Sequence, residues 1–184
     1  MYAERKAQSL AEEPIDLEEA KAQVRAIQEA DDEDDLIEQM IAAAREYCEN
    51  ITGRALKACE VTAYPENTAG AQRLPWIPVG EIESVERRTT GGEYRPMSAE
   101  EYEVNRESGT FRIKMRSDGD TGVRLRYQAG YGAGEVPPLI RQAMLMLIGH
   151  WYQNRESVQI GAVASIEVEL STRNLLKQYR AWWY

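Results

Sequence analysis

Four stretches of this 184-residue chain carry side chains that catalysis or ligand binding would use. The run Asp31-Asp32-Glu33-Asp34-Asp35 offers oxygens to a hard cation such as calcium. As a calcium loop it fails, because Leu36 and Ala42 stand where such a loop needs its glycine and its closing glutamate. Carboxylates also gather at helix N-termini for the macrodipole alone, so the run reads as a helix start and no metal is expected. Gly130-Tyr131-Gly132-Ala133-Gly134 has the glycine density of a phosphate loop, yet Glu135, Pro137 and Pro138 follow, with no Lys-Ser/Thr to hold phosphates. It reads as a turn. His150, the single histidine, lies in an apolar stretch beside Trp151, with no serine or cysteine at a spacing that suggests a nucleophile. It reads as a packing histidine, and Asn154, Arg155 and Glu156 as structural or interfacial groups. No enzyme and no cofactor is expected.

The fourth stretch does ask for a partner. Phe111, Ile113 and Met115 alternate with Arg112, Lys114 and Arg116, residues 117–122 turn, and Val123, Leu125 and Tyr127 alternate with Arg124 and Arg126. Period two predicts a β-hairpin with one apolar face. Arg112, Lys114, Arg124 and Arg126 then share the other face, where like charges repel unless something acidic approaches. Acids of a neighbouring subunit or DNA phosphates are candidates; a merely solvated face is the plain alternative.

The elements that would position these groups follow from periodicity. Pro137 and Pro138 suit a first helical turn, and Ile140, Ala143, Met144, Leu147, Ile148 and Trp151 follow at three- and four-residue spacing. Leu139, Leu145 and Met146 fall off that stripe and are apolar too, so a second face must be covered, by the rest of the chain or by another subunit. Asp16 and Glu19 make a capping-box-like start to a short amphipathic helix. The acidic run opens a second helix with Ile37, Met40, Ile41, Ala44, Tyr47, Cys48 and Ile51 on one side, ended by Gly53. Weaker strands are predicted at 60–64, 72–74, 82–89 and 102–105. Residues 157–170 read as a long, mobile connection. A last short helix from about Ser171 leads to Trp182, Trp183 and Tyr184, aromatics that either dock on a partner or fold back on the chain's own core.

Charge is unevenly spread beneath the formal net of −9. Residues 1–53 hold 15 acids and 5 bases, residues 54–130 hold 12 and 12, and residues 131–184 hold 4 and 5. The acidity of the N-terminal helical part argues against its gripping a nucleic-acid backbone. No apolar run reaches the roughly 20 residues that span a bilayer, and MYAERKAQSL lacks a secretory apolar stretch, so a protein made in the cytoplasm with no membrane contact is expected. Cys48 and Cys59 form no CxxC and are expected reduced and buried.

The order IDLEEAK, an acidic run, LIEQMIAAAREYCENITGRAL, a β-rich middle, YQAGYG, VPPLIRQAMLMLIGHWYQNRE and LLKQYRAWWY resembles the head-tail connector, or head-completion adaptor, proteins of long-tailed phages. The resemblance covers residues 15–184. It implies a structural virion protein at the capsid vertex, a ring, usually a dodecamer, that docks under the portal protein, extends the DNA channel and carries the next head-completion or tail protein. DNA would pass through without sequence-specific binding. The long apolar helix would build the ring, with Leu139, Leu145, Met146, Trp151 and Arg155 at subunit interfaces. Residues 157–170 and the C-terminal helix with Trp182, Trp183 and Tyr184 would meet portal or neighbours.

The expected fold is α+β: a helical bundle of two N-terminal helices, one long helix and one C-terminal helix, carrying a small antiparallel β-sheet insertion over 55–130. Residues 1–14 are expected as a flexible arm, and 15–184 as a single connector domain. Against the adaptor ring stands a non-catalytic DNA-binding module that uses the basic hairpin Arg112–Arg126.

Overall fold

The computed structural model describes residues 1–8, 11–24, 33–66, 70–115, 122–132, 134–154 and 162–181. The chain forms two compact units, one from Met1–Ala11 and Lys57–Tyr131, the other from Glu12–Leu56 and Gly132–Tyr184. The first is a β unit and the second a helical one, and the chain alternates between them in sequence.

The β unit corrects the expected architecture. A helical bundle with a small insertion is not what is seen: the described residues hold eight strands in two antiparallel sheets, β content comparable with helix. Strands β1 (Tyr2–Ala7), β2 (Cys59–Tyr64), β4 (Val79–Arg88), β5 (Tyr94–Pro96) and β8 (Gly122–Ala129) make a five-stranded sheet in the order β1-β2-β8-β4-β5. Strands β3 (Gln72–Arg73), β6 (Tyr102–Asn105) and β7 (Thr110–Ile113) make a second, in the order β3-β7-β6. The segments predicted as one hairpin thus belong to different sheets. Period two assigns residues to faces and says nothing of which strand lies alongside.

Alternation builds the core of the larger sheet. Val123, Leu125, Tyr127 and Ala129 of β8 are buried beside Cys59, Val61 and Ala63 of β2, with Val61 opposite Tyr127 and Ala63 opposite Leu125. The fully buried Tyr127 donates its hydroxyl to the Pro75 carbonyl, and burial pushes its pKa well above the usual phenol range. In the smaller sheet Phe111 and Ile113 are buried, and Tyr102 stacks on Phe111 with centroids 6.1 Å apart. Strand β1 falls where a flexible arm is expected. Its sequence, YAERKA, has no apolar alternation to betray a strand; it is an edge, paired with β2 from Tyr2 opposite Tyr64 to Ala7 opposite Cys59.

In the helical unit, α1 (Leu17–Val24) starts where the Asp16 carboxylate accepts the Glu19 N–H at 2.7 Å. Helix α2 (Asp34–Thr52) buries Ile37, Ile41, Ala44 and Cys48, and ends at Gly53 in the left-handed conformation, φ 67°. Helix α3 (Pro138–Gln153) buries Ile140, Ala143, Met144, Leu147 and Ile148 and packs against α1, α2 and α4 (Ala162–Leu176). Helix α4 starts inside the segment expected as a loop. Its β-branched and alternating sequence, AVASIEVEL, disfavours helix locally, and contact with α3 supplies what propensity does not. A 3-10 turn, Lys177–Tyr179, follows.

One glycine sets how closely the strands entering and leaving the β unit approach. Gly130 has φ 105°, and a Cβ there would sit 2.5 Å from the Lys57 carbonyl oxygen. Gly130→Ala therefore meets both an unfavourable backbone conformation and a backbone clash, and is expected to cost at least about 2 kcal/mol. Urea denaturation of the two proteins would measure it; an unchanged midpoint would contradict this packing.

Candidate functional site

Four of the residues assigned to a subunit interface lie along α3: Leu139 is 38% exposed in the first turn, Leu145 and Met146 are half-buried beside the core stripe, and Trp151, in the stripe itself, is half-buried near its end. Arg155, Trp182, Trp183 and Tyr184 lie outside the described residues. His150, half-buried, has its Nδ1 3.1 Å from the Asn154 side-chain nitrogen, which donates to the His150 carbonyl at 2.8 Å.

The four cations are not brought together on one hairpin. Arg112 lies on β7 and Lys114 just beyond it, whereas Arg124 and Arg126 lie on β8 in the other sheet. Arg112 reaches Glu103, its register partner on β6, at 2.6 Å. Arg124 reaches Glu86, its register partner on β4, at 2.7 Å, and its guanidinium carbon lies 3.9 Å above the Tyr94 ring. The acid that cross-strand repulsion demanded is supplied for these two by the chain itself. The even count of 12 acids and 12 bases over 54–130 was the sequence signal for such pairing.

Sequence reasoning missed a second cationic place, in the helical unit. A cleft of about 410 Å³ is lined by Asn50 and Ile51 at the end of α2 and by Arg173, Asn174, Lys177 and Arg180 from α4 and the turn after it. The one signal for it was the spacing Arg173, Lys177, Arg180 on one helical face. Beneath the cleft the end of α2 is tied down. Glu49, 1% exposed, accepts from Arg45 at 3.1 Å and from the Leu56 N–H at 2.8 Å. Arg54 donates to the Tyr179 carbonyl at 2.7 Å, and the Ala181 N–H to the Thr52 carbonyl at 2.7 Å. Cys48 and Cys59 are buried and form no disulfide, and burial pushes the Cys48 thiol up to about 12.

Lys21, 2% exposed, takes Asp34 of the acidic run at 2.6 Å, so that carboxylate is committed to an ion pair. Asp31 and Asp32 lie outside the described residues. Among the described residues no group of three or more His, Cys, Asp or Glu side chains is placed to hold a metal ion.

Three carboxylates of the β unit titrate low. The hydrogen bond from Arg124 holds Glu86 below its usual range, that from Arg112 does the same for Glu103, and the Ser98 N–H does so for Glu101. A carboxyl whose folded pKa is depressed contributes stability above the ordinary glutamate value of about 4.3, and loses it as pH falls through the folded value. Denaturation midpoints are thus expected to drop as pH falls below about 4.3, and the triple variant Glu86→Gln, Glu101→Gln, Glu103→Gln to start lower at neutral pH with a flatter acid slope. Equal slopes in the two proteins would contradict it.

Several solved chains share this fold. A chain described as "Virion of native gene transfer agent (GTA) particle" matches with a TM-score of 0.74 at 18% identity, over 98% of this chain and 96% of that one. "Neck of empty GTA particle computed with C6 symmetry" matches with 0.74 at 19% identity, over 100% and 97%. "Neck of native GTA particle computed with C12 symmetry" matches with 0.63 at 18% identity, over 95% and 97%. No curated protein is significantly similar in sequence. The family described as head completion protein matches over residues 15–181, nearly the span of the motif resemblance, and the chain therefore belongs to the head completion protein family.

Proposed function

We propose that the chain is a structural head-tail connector whose copies form a ring at the virion's head-tail interface. In this reading the ring docks under the portal, extends the DNA channel and presents a platform to the next head-completion or tail protein. The family match over 15–181 carries the reading. Likeness in fold to neck chains from particles computed with C6 and C12 symmetry supports a closed ring, and a dodecamer accounts for both symmetries, since a twelvefold axis contains a sixfold one.

The subunit contact falls to α3, where the flank that carries exposed Leu139 also carries half-buried Met146, with half-buried Leu145 and Trp151 to either side of it. Such a flank loses its remaining water contact when a second copy covers it, at no cost in buried polar groups. Trp182, Trp183 and Tyr184 are assigned to docking on a partner, as three aromatics contribute several kcal/mol on burial. DNA passes the ring without sequence-specific contacts. The alternative, a DNA-binding module built on the basic strands, is weakened by the pairing of Arg112 with Glu103 and Arg124 with Glu86, which lowers the positive charge left for phosphates.

Electron microscopy of the purified protein, alone and with its portal, tests the class: annular particles are expected, and their absence in both samples would refute it. Leu145→Glu and Met146→Glu are expected to leave circular dichroism unchanged while abolishing rings, since an unpaired charge buried at an interface costs several kcal/mol and a solvated one little. Rings that persist in both variants would remove α3 from the interface.

A further inference from the structure

We propose that the cationic cleft at the end of α4 is a docking site for a second copy of this chain, and that it receives the exposed acidic face of that copy's α2. The proposal rests on the ring reading and names one of the ring's contacts.

The cleft is built for an anion. Of its six lining residues three are cations and two are carboxamides, with no carboxylate among them. Among the described residues Lys177 and Arg180 have no ion-pair partner for their side chains. Its volume of about 410 Å³ falls in the range of sites that hold a small ligand or a few side chains.

The anion is found on the same helix, at the other end. Asp35 and Glu38 are exposed in the first turns of α2, with exposed Gln39 beside them. Among the described residues Asp35 and Glu38 have no cationic partner. From Asp35 to Ile51 the helix rises by roughly 24 Å at about 1.5 Å per residue. That exceeds by far the screening length of about 8 Å at physiological salt, so Asp35 and Glu38 cannot neutralise the cleft of their own copy. A head-to-tail contact needs two different, non-overlapping surfaces on each copy, held rigidly relative to each other, and the two ends of one helix meet that requirement. A nucleic-acid occupant is disfavoured, because the formal net charge is −9 and the acidic end of the same helix repels a phosphate backbone.

The test uses the full chain and sedimentation velocity with electron microscopy. Variant one carries Lys177→Glu and Arg180→Glu; variant two carries Asp35→Lys and Glu38→Lys. Each alone sets like charges face to face and is expected to associate about 100-fold more weakly than wild type, with unchanged circular dichroism. Mixed in equal amounts they form complementary contacts at every junction, so rings with alternating subunits are expected to return. Variants that assemble alone like wild type, or a mixture that fails to assemble, would overturn the proposal. So would loss of duplex-DNA binding in variant one with assembly intact, which assigns the cleft to phosphates instead. If wild type forms no ring at all, with or without portal, the ring reading falls and takes this contact with it; if rings form and the charge variants enter them unchanged, only the cleft contact falls.

Discussion

A buried carboxylate at the end of α2 governs the helical unit. Glu49 lies at 1% exposure, and a charge at that depth persists only if its oxygens are engaged. One oxygen takes the Leu56 N–H at 2.8 Å, which fixes where the chain leaves α2; the other takes Arg45 at 3.1 Å. Arg45 in turn reaches Glu13 at 2.8 Å, so the segment before α1 is joined to the same centre. With the end of α2 fixed in this way, Thr52 and Arg54 are placed to bind Ala181 and Tyr179, and the C-terminal segment closes over it. The cationic cleft therefore follows from an anionic anchor: Asn50 and Ile51 form its wall on the same turn of helix as Glu49.

The β unit solves a charge problem by register. Residues 1–11 and 57–131 hold 13 acids and 13 bases, which would repel or attract according to which strand lies beside which. Pairing Glu86 opposite Arg124 and Glu103 opposite Arg112 puts opposite charges directly across from each other, where attraction replaces repulsion. Their larger effect is on specificity, because a one-residue slip would turn Arg124 toward the face that holds Val123 and Leu125 and set buried side chains in water.

Three helix ends were legible in the sequence, since each of them rests on a local chemical device: Asp16 accepting the Glu19 N–H, Gly53 in the left-handed region, Pro138 at the first turn of α3. The core stripes of α2 and α3 were legible for the same reason of locality. Strand partnership was not, because β7 and β8 are near in sequence and the loop between them does not announce that they enter different sheets. Strand β1 escaped because an edge strand is held by backbone pairing, which leaves no trace in a polar sequence, and α4 because packing overrode its β-rich composition. The cleft joins Asn50 to Arg173, groups more than a hundred residues apart, and only three-dimensional proximity makes them one site.

Chains 18–19% identical to this one share its fold, with TM-scores as high as 0.74. At that identity most side chains differ, so the frame rests on what tolerates side-chain exchange, above all the volume and apolar patterning of the core. Surface charge is under no such constraint from folding, since exposed substitutions shift stability by only about 0.5 kcal/mol or less. A chain of net charge −9 must overcome self-repulsion whenever copies meet, and does so most economically where a cationic patch faces an acidic one. Within one frame, the choice of which acids meet which bases is then free to set which copies and which partners assemble.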